Sequence, residues 1–362
     1  MMKLKGIIET DFRFALVQIA FGEKDGKDFG QVSFPIMGDM HNDVDEAKLT
    51  DTTADFIFDI NGMPSNIHLE KNNDQWQGTF EMKSISLKLD LTIKQISDEP
   101  DFAEHAYIIP QINIEKLRQH NEYINEPCKE ILKYELDNQK VFNYVKEKGI
   151  DVENHHNFST VCALQKKVAE LYHHDGANYS HDKENIGTIA QIEFAQKQNN
   201  YTNCRGMAMI LSGVLRAYGF QANVVECHSD DVNSPEIHVV CEVFCEDLNK
   251  TVLLDPSNNL IYYLNSQPLS LIELREAIIN DQSEKITINE DSSHNGEDVS
   301  IIQLLAYMSK NLMFLVKGIK SDETHELRDE NRICLVPTDY LDKDYPKASL
   351  RTNNIQEFYI TK

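Results

Sequence analysis

The most informative stretch of this sequence runs from residue 203 to residue 259. It opens with NCRGMAMILSGVLRAYGF (203–220), passes through EIHVVCEVFCE (236–246) and closes with TVLLDPSNN (251–259). The pattern predicts a helix that begins at a cysteine, followed by two strands that carry a histidine and an aspartate. The other regions of the chain are interpreted from this stretch outward.

The predicted helix has an apolar stripe and clear signals at both ends. Asn203 is a good N-cap, which makes Cys204 the first helical residue, and Gly219 follows the last turn, where a left-handed residue ends many helices. Free N–H groups and the positive end of the helix dipole favour a thiolate at Cys204. The stripe recurs at spacings of three and four and consists of Met207, Ile210, Leu211, Val214, Leu215 and Tyr218.

The two strands place a histidine and an aspartate close together. His238 lies among alternating apolar residues, and the short connection 246–250 predicts a hairpin with the strand that ends at Asp255. Pro256 then stops that strand, because proline cannot continue a ladder of hydrogen bonds. Taken alone, a histidine in a buried strand is more often a hydrogen-bonded core residue than a catalytic base. The neighbouring aspartate favours the catalytic interpretation.

The order Cys204, His238, Asp255 resembles the transglutaminase-like superfamily, a papain-like group whose cysteine starts a helix and whose histidine and aspartate lie on following strands. The resemblance covers about residues 159–282. NCRGMAMILSGVLRAYGFQANVV resembles the cysteine helix and next strand of the family, IHVVCEV its histidine strand and LLDPSNN its aspartate strand and turn. PLSLIELREAI (268–278) resembles a helix found after the aspartate in stand-alone bacterial members.

The resemblance implies chemistry at a thiol. Cys204 would attack an amide or ester carbonyl of a peptide or protein substrate and form a thioester. His238 would carry the proton, and Asp255 would orient the imidazole. No cofactor is implied. We favour hydrolysis over cross-linking, although the triad serves both, and the alternative is a catalytically silent scaffold that binds a peptide or protein partner.

The transition state of such a reaction needs hydrogen-bond donors for its oxyanion. The backbone N–H of Cys204 is one candidate. Gln198 is the candidate for a second, because it lies six residues before the cysteine, the offset used by papain-like proteases. Gln196 and Asn199 remain alternatives.

Outside this region, the sequence predicts an α+β protein of two domains. Residues 1–97 alternate apolar and polar side chains, for example at Ile85 to Ile93, and predict an all-β sandwich or barrel with an accessory role. A composition change at Ser97 to Pro100 marks the boundary. Residues 98–362 would form the transglutaminase-like domain, with a helical lead-in, its core at 159–282 and a C-terminal helix and strands at 300–362.

Several further elements of the second domain follow from periodicity. The ranges are helices at 127–149, 159–175 and 185–197, a mobile loop at 282–299, one buried helix at 301–319, a strand at 332–336 and a strand-like end at 358–360.

Charge limits the kinds of partner. The 362 residues contain 35 basic and 59 acidic side chains, for a net charge of −24. Nucleic-acid binding needs basic patches against phosphate, so this balance argues against it and against anionic membrane surfaces. Seven cysteines without motif-like pairing suit reduced thiols, and we expect a cytoplasmic protein that is not membrane-bound.

A metal site is not predicted, because the sequence has no CxxC pair and no HExxH motif. The remaining histidines are expected at surfaces or helix ends, with a role in lining the substrate cleft as the lesser alternative. They are His155, His156, His173, His174 and His181.

Overall fold

A computed structural model describes residues 2–9, 14–24, 26–33, 41–60, 63–73, 75–82, 87–95, 111–182, 184–230, 237–326 and 328–359. The chain divides into two units, residues 1–109 and 110–362, and each contains its own buried residues. The predicted boundary at Ser97 to Pro100 lies outside the described residues. The protein is a mixed α+β chain, as predicted.

The first unit contains a single antiparallel sheet of nine strands in the order β4-β3-β2-β1-β9-β8-β7-β6-β5. The strands are β1 (Met2–Glu9), β2 (Phe14–Lys24), β3 (Lys27–Ser33), β4 (His41–Asp43), β5 (Glu46–Leu49), β6 (Thr53–Ile60), β7 (Met63–Asn72), β8 (Gln75–Met82) and β9 (Leu87–Gln95). The described residues of this unit form strands and contain no helix.

The sheet curls so that its two halves share one core. Phe21 on β2 packs against Trp76 on β8 and Phe56 on β6, with ring centroids 5.4 and 5.6 Å apart. The backbone N–H of Leu49, on the edge strand β5, donates to Asp28 at 2.9 Å, on β3 next to the opposite edge of the sheet. One curled sheet, rather than a two-sheet sandwich, buries the apolar face.

Eight helices are described, all in the second unit. They are α1 (Gln111–Gln119), α2 (Gln139–Glu147), α3 (Phe158–Leu171), α4 (Thr188–Lys197), α5 (Cys204–Ala217), α6 (Leu271–Ile279), α7 (Ile301–Asn311) and α8 (Ile355–Phe358). Nowhere in the described ranges is there a helix with the length and apolar character needed to cross a membrane.

The central sheet of this unit has six strands in the order β15-β14-β13-β21-β23-β24. Their bounds are β13 (Ala222–His228), β14 (His238–Cys245), β15 (Lys250–Leu254), β21 (Phe314–Gly318), β23 (Arg332–Leu335) and β24 (Leu350–Thr352). The smaller strands are β10 (Lys133–Tyr134), β11 (His173–His174), β12 (Tyr201–Thr202), β16 (Tyr262–Leu264), β17 (Gln267–Pro268), β18 (Ile286–Ile288), β19 (Ser293–His294), β20 (Glu297–Asp298) and β22 (Lys320–Ser321).

Helix α5 is the centre of the unit, and every residue from Gly206 to Ala217 is buried. Two glycines let neighbours approach its backbone closely. A Cβ on Gly206 would lie 2.0 Å from Thr202 Oγ1, and one on Gly213 would lie 1.6 Å from Thr188 Oγ1. Gly219 adopts φ +88° after the helix, which confirms the predicted left-handed end.

Four sequence predictions were wrong. The helix expected over 127–149 begins only at Gln139, because β10 pairs with β22 far along the chain and Asn138 caps the helix. The run 301–319 is α7 followed by the sheet strand β21. Phe358, the first residue of the predicted strand-like end, closes the short helix Ile355–Phe358, and Ile360 lies outside the described residues. The range 282–299 contains β18, β19 and β20 instead of an irregular loop.

Candidate active site

The tip of α5 holds Cys204 as predicted. Asn203 is the N-cap, and its side chain accepts a hydrogen bond from Gly206 N at 3.0 Å. Asn203 N donates to Asn178 O at 2.7 Å, which fixes the entry into the helix. As the first helical residue, Cys204 has a backbone N–H with no acceptor within the helix. The thiol is partly buried at this tip.

His238 and Asp255 meet at the neighbouring strand ends. The predicted hairpin of β14 and β15 is present, with Cys241 opposite Leu254. His238 therefore lies beyond the last pair, and its Nε2 reaches Asp255 Oδ2 at 2.8 Å. Both side chains are buried, and the ring of Tyr307 packs edge-on against His238 with centroids 5.3 Å apart.

Asp255 is held by further donors. Ser257 N donates to Oδ1 at 3.0 Å, and Asn258 Nδ2 donates to Oδ2 at 2.9 Å. These bonds come from the short 3₁₀ turn Pro256–Asn258, which Asp255 caps. Burial opposes its charge, but the charge of His238 and these bonds hold the pKa of Asp255 below its usual range.

His238 connects the carboxylate to the thiol. Its Nε2 is used by Asp255, so Nδ1 is the ring nitrogen left to face the sulfur of Cys204, and the imidazole lowers the pKa of that thiol. Burial alone would lower the pKa of His238, but the charge and hydrogen bond of Asp255 dominate and raise it to about 10. The imidazole therefore carries a proton at neutral pH.

The thiol of Cys204 has an acidic pKa. Burial opposes the thiolate, but hydrogen bonds from His174 and His238 and the charges of both rings lower the pKa to about 6. Burial raises the pKa of Cys162 to about 11 and of Cys245 and Cys334 to about 12. Thiolate chemistry at neutral pH is thus concentrated at Cys204.

His174 lies beside the candidate site, and the sequence did not single it out. It lies on β11, which pairs in parallel with β12, so that His174 is opposite Thr202, two residues before the cysteine. Its ring lowers the pKa of the Cys204 thiol, whereas the sequence predicted a surface or helix-end position. The lesser alternative, a residue lining the cleft, fits its placement better. The adjacent residues His173 and His174 form no local sequence pattern that would predict the pairing of β11 with β12.

In the described part of the chain, Gln198, the predicted oxyanion donor, is not hydrogen-bonded to the three candidate catalytic residues. Gln198 follows the end of α4, is exposed, and within the described residues has no side-chain hydrogen bond to Cys204, His238 or Asp255. Gln196 accepts from Lys148 Nζ at 3.2 Å. Asn199 is exposed with φ +55°.

No group of three or more His, Cys, Asp or Glu side chains is arranged to hold a metal ion in the part of the chain that the structure describes. The chemistry that this arrangement offers is that of an activated thiol beside an imidazolium and an orienting carboxylate.

Comparison with known proteins gives distant structural likenesses. No protein-family model matches the sequence, and no curated protein matches it. One similar solved structure, described as a "Putative Cysteine Protease" from Cytophaga hutchinsonii, has 11% identity and a TM-score of 0.25 over 81% of this chain and 86% of its own. Another, the transglutaminase of red sea bream, has 8% identity and a TM-score of 0.26 over 86% of this chain and 51% of its own. Likenesses at such low TM-scores do not establish a family or a function for this chain.

Proposed function

We propose that this protein is a thiol enzyme that cleaves amide or ester bonds through an acyl-enzyme on Cys204. The observation that carries the proposal is the buried hydrogen bond of His238 to Asp255 beside Cys204, whose thiol pKa the His238 ring helps to lower to about 6. Burying a thiolate and an imidazolium costs free energy, and groups with such shifted pKa values cluster at functional sites. The resemblance of the 203–259 stretch to transglutaminase-like sequences supports the same chemistry.

The steps follow from the positions of the protons. The Cys204 thiolate attacks the carbonyl carbon, the C–S bond forms, and the carbonyl electron pair moves onto oxygen. The His238 imidazolium then protonates the leaving amine or alcohol as the tetrahedral adduct collapses to a thioester. Water, deprotonated by the now neutral His238, hydrolyses the thioester.

Two parts of the proposal concern details. The backbone N–H of Cys204 would donate to the oxyanion, and Gln198 remains a predicted second donor. Water is the proposed acceptor, which makes the protein a peptidase or amidase. An amine acceptor would make it a cross-linking enzyme, and both would use peptide or protein substrates without a cofactor.

The test uses acetylation by p-nitrophenyl acetate, followed by peptide mapping. We expect one acetyl group on Cys204, formed in a burst of p-nitrophenol, and strong loss of that burst in His238→Ala. Slow acetylation spread over all seven cysteines would show a silent scaffold instead. A glutamine-containing protein with a labelled amine then separates the acceptors, because stable incorporation is expected only of a transferase.

A further inference from the structure

The thiol of Cys204 has a second imidazole partner besides His238. His174 lies on β11, whose parallel pairing with β12 puts it opposite Thr202, and its ring lowers the pKa of the Cys204 thiol. His238 is committed to Asp255 through Nε2 and to the sulfur through its other nitrogen. Among the described residues, no carboxylate hydrogen-bonds to the ring of His174, so its role at the sulfur must differ from that of the base.

The hairpin of β19 and β20 fixes the backbone of His174. Asn295, at the turn of this hairpin, accepts a hydrogen bond from His174 N at 2.8 Å and donates one to His174 O at 2.9 Å. Asn295 adopts φ +53° and Gly296 φ +87°, so the turn itself demands these residue types. Strand β11, which carries His174, is therefore held both by its pairing with β12 and by the two hydrogen bonds to Asn295.

His294 on the same hairpin fixes the ring of His174. The two imidazoles pack edge-on with centroids 5.2 Å apart. His294 Nδ1 lies 2.9 Å from Asn258 Oδ1, and Asn258 Nδ2 donates to Asp255 at 2.9 Å. Asp255 as a carboxylate only accepts, so the amide nitrogen of Asn258 faces it and the amide oxygen faces His294. Nδ1 of His294 therefore carries the hydrogen.

Two series of side-chain contacts thus connect Asp255 with the sulfur of Cys204. One passes through His238, and the other passes through Asn258, His294 and His174. Burial and the nearby ring of His174 lower the pKa of His294, which keeps this second route uncharged at His294. A pre-oriented donor that needs no reorganisation is the arrangement that stabilises developing negative charge best.

We propose that His174 is a further catalytic residue that donates a ring N–H to the oxyanion formed when Cys204 attacks a carbonyl. This inference rests on the proposed function. In the adduct, the oxygen is bonded to the same carbon as the sulfur, so a donor that reaches the sulfur can also reach the oxygen. The oxygen accepts from His174 and from the Cys204 N–H, and its electron pair returns to the carbonyl when the leaving group departs with the proton of His238. His294 is a positioning residue.

Two reactions of the Cys204 thiolate distinguish a hydrogen-bond donor to the oxyanion from a group that only activates the thiol. Acetylation by p-nitrophenyl acetate passes through an oxyanion, whereas alkylation by iodoacetamide displaces iodide and forms none. Both rates depend equally on the fraction of Cys204 that is ionised. Their ratio, measured for Cys204 by peptide mapping at one pH, therefore reports the oxyanion donor and cancels any change in the thiol pKa.

We expect His174→Phe to lower the ratio of acetylation to alkylation by about 100-fold, the usual effect of losing one oxyanion donor. His174→Gln keeps a neutral donor and should lose less. His294→Phe should lower the same ratio moderately, because the ring of His174 is then less well oriented. His173→Phe is the matched control, since His173 on the same strand packs against Tyr201 instead, with centroids 5.3 Å apart, and its ratio should not change.

An unchanged ratio in His174→Phe would overturn the proposal, and a large fall in Gln198→Ala would transfer the role to Gln198. If His174→Phe does not fold, His174→Ala makes the same comparison. Failure of the proposed function would look different. In that case wild-type Cys204 would be alkylated no faster than the other cysteines, and His238→Ala would leave its alkylation unchanged.

Discussion

The acidity of Cys204 comes from the side chains around it. Burial by itself would raise the pKa of this thiol, as it does for Cys162 and Cys334. Two imidazoles reverse the effect and lower the pKa to about 6. Because Asp255 raises the pKa of His238 to about 10, the pair exists as thiolate and imidazolium between these two values.

Removing the charge of Asp255 tests this coupling. In Asp255→Asn, the imidazolium of His238 loses its main stabiliser, so its pKa should fall and that of Cys204 should rise. We expect the midpoint of the alkylation profile to move upward by about one pH unit or more, with about tenfold slower alkylation at pH 6. Asp291→Asn, at a half-exposed carboxylate bound to Lys166, is the control and should leave the profile in place. A profile that does not move in Asp255→Asn would separate Asp255 from the thiol.

For single residues, the sequence predicted the positions that a pattern in the neighbouring residues marks. Asn203 marks the helix start, strand alternation marks His238, and Pro256 marks the end of the strand at Asp255. The structure brings these three side chains together as the pattern suggested. His174 was missed because it reaches the thiol through a two-residue pairing with β12, 28 residues along the chain, and no local pattern encodes such a contact.

Helix α5 depends on close approach by its neighbours. Thr188 at the start of α4 lies against Gly213, and its hydroxyl donates to Glu323 Oε1 at 2.7 Å, so it has no free space to move into. Gly213→Ala would place a methyl group 1.6 Å from that hydroxyl. We expect a loss of about 1–3 kcal/mol in the free energy of unfolding, the usual cost of overpacking a core.

Gly176→Ala is the matched control for this substitution, because a Cβ there meets nothing within 4 Å. Denaturant unfolding of both variants makes the comparison. Equal stability of Gly213→Ala and Gly176→Ala would mean that α4 and α5 do not pack as described.

Elements were predicted well where local periodicity and burial agreed. The helices at α3, α4 and α5 and the hairpin of β14 and β15 were all predicted within a few residues. The errors came from tertiary pairing that overrides local preference. The spacing of apolar residues after Pro127 predicts a helix, but residues 133–134 form a strand that pairs with residues 320–321. Likewise, the apolar residues after Asn311 enter the central sheet instead of extending α7.

Within the second unit, one buried carboxylate connects α5 to the central sheet. Glu226 on β13 lies 2.8 Å from Arg205 of α5, 3.4 Å from Arg332 of β23 and 3.3 Å from His228. Burial opposes its ionisation, but the hydrogen bond with His228 and the charges of both arginines lower the pKa of Glu226 to about 2.

This network predicts a pH-dependent stability. The pKa of Glu226 is lower in the folded state than the ordinary 4.5, so its contribution is present above pH 4.5 and is lost as the pH falls toward 2. We expect Glu226→Gln to cost about 3 kcal/mol in the free energy of unfolding at pH 7. The difference from wild type should shrink by about 2 kcal/mol between pH 5 and pH 3.

Urea unfolding at several pH values measures this difference. Glu297→Gln, at an exposed position on β20, is the control and should follow wild type throughout. A difference that stays constant from pH 7 to pH 3 would show that Glu226 acts by packing and not by charge.

For the whole chain, the sequence predicted the mixed α+β class, and the division into an all-β accessory domain and a second domain stays a prediction. The sequence did not show that nine strands form one curled sheet, because strand order and sheet closure depend on contacts between residues far apart in sequence. All residues of the candidate site lie in the second unit. The accessory role of the first unit stays a prediction.

The central claim is that Cys204 is a thiolate at neutral pH because His238 and Asp255 make it one. The most direct measurement is the rate of iodoacetamide alkylation of Cys204, followed by peptide mapping from pH 4 to pH 10, in wild type and in His238→Ala. We predict a wild-type midpoint near the pKa of about 6, with the other thiols silent there, and a clear upward shift in His238→Ala. A wild-type midpoint near 9, the ordinary pKa of a thiol, would contradict the account.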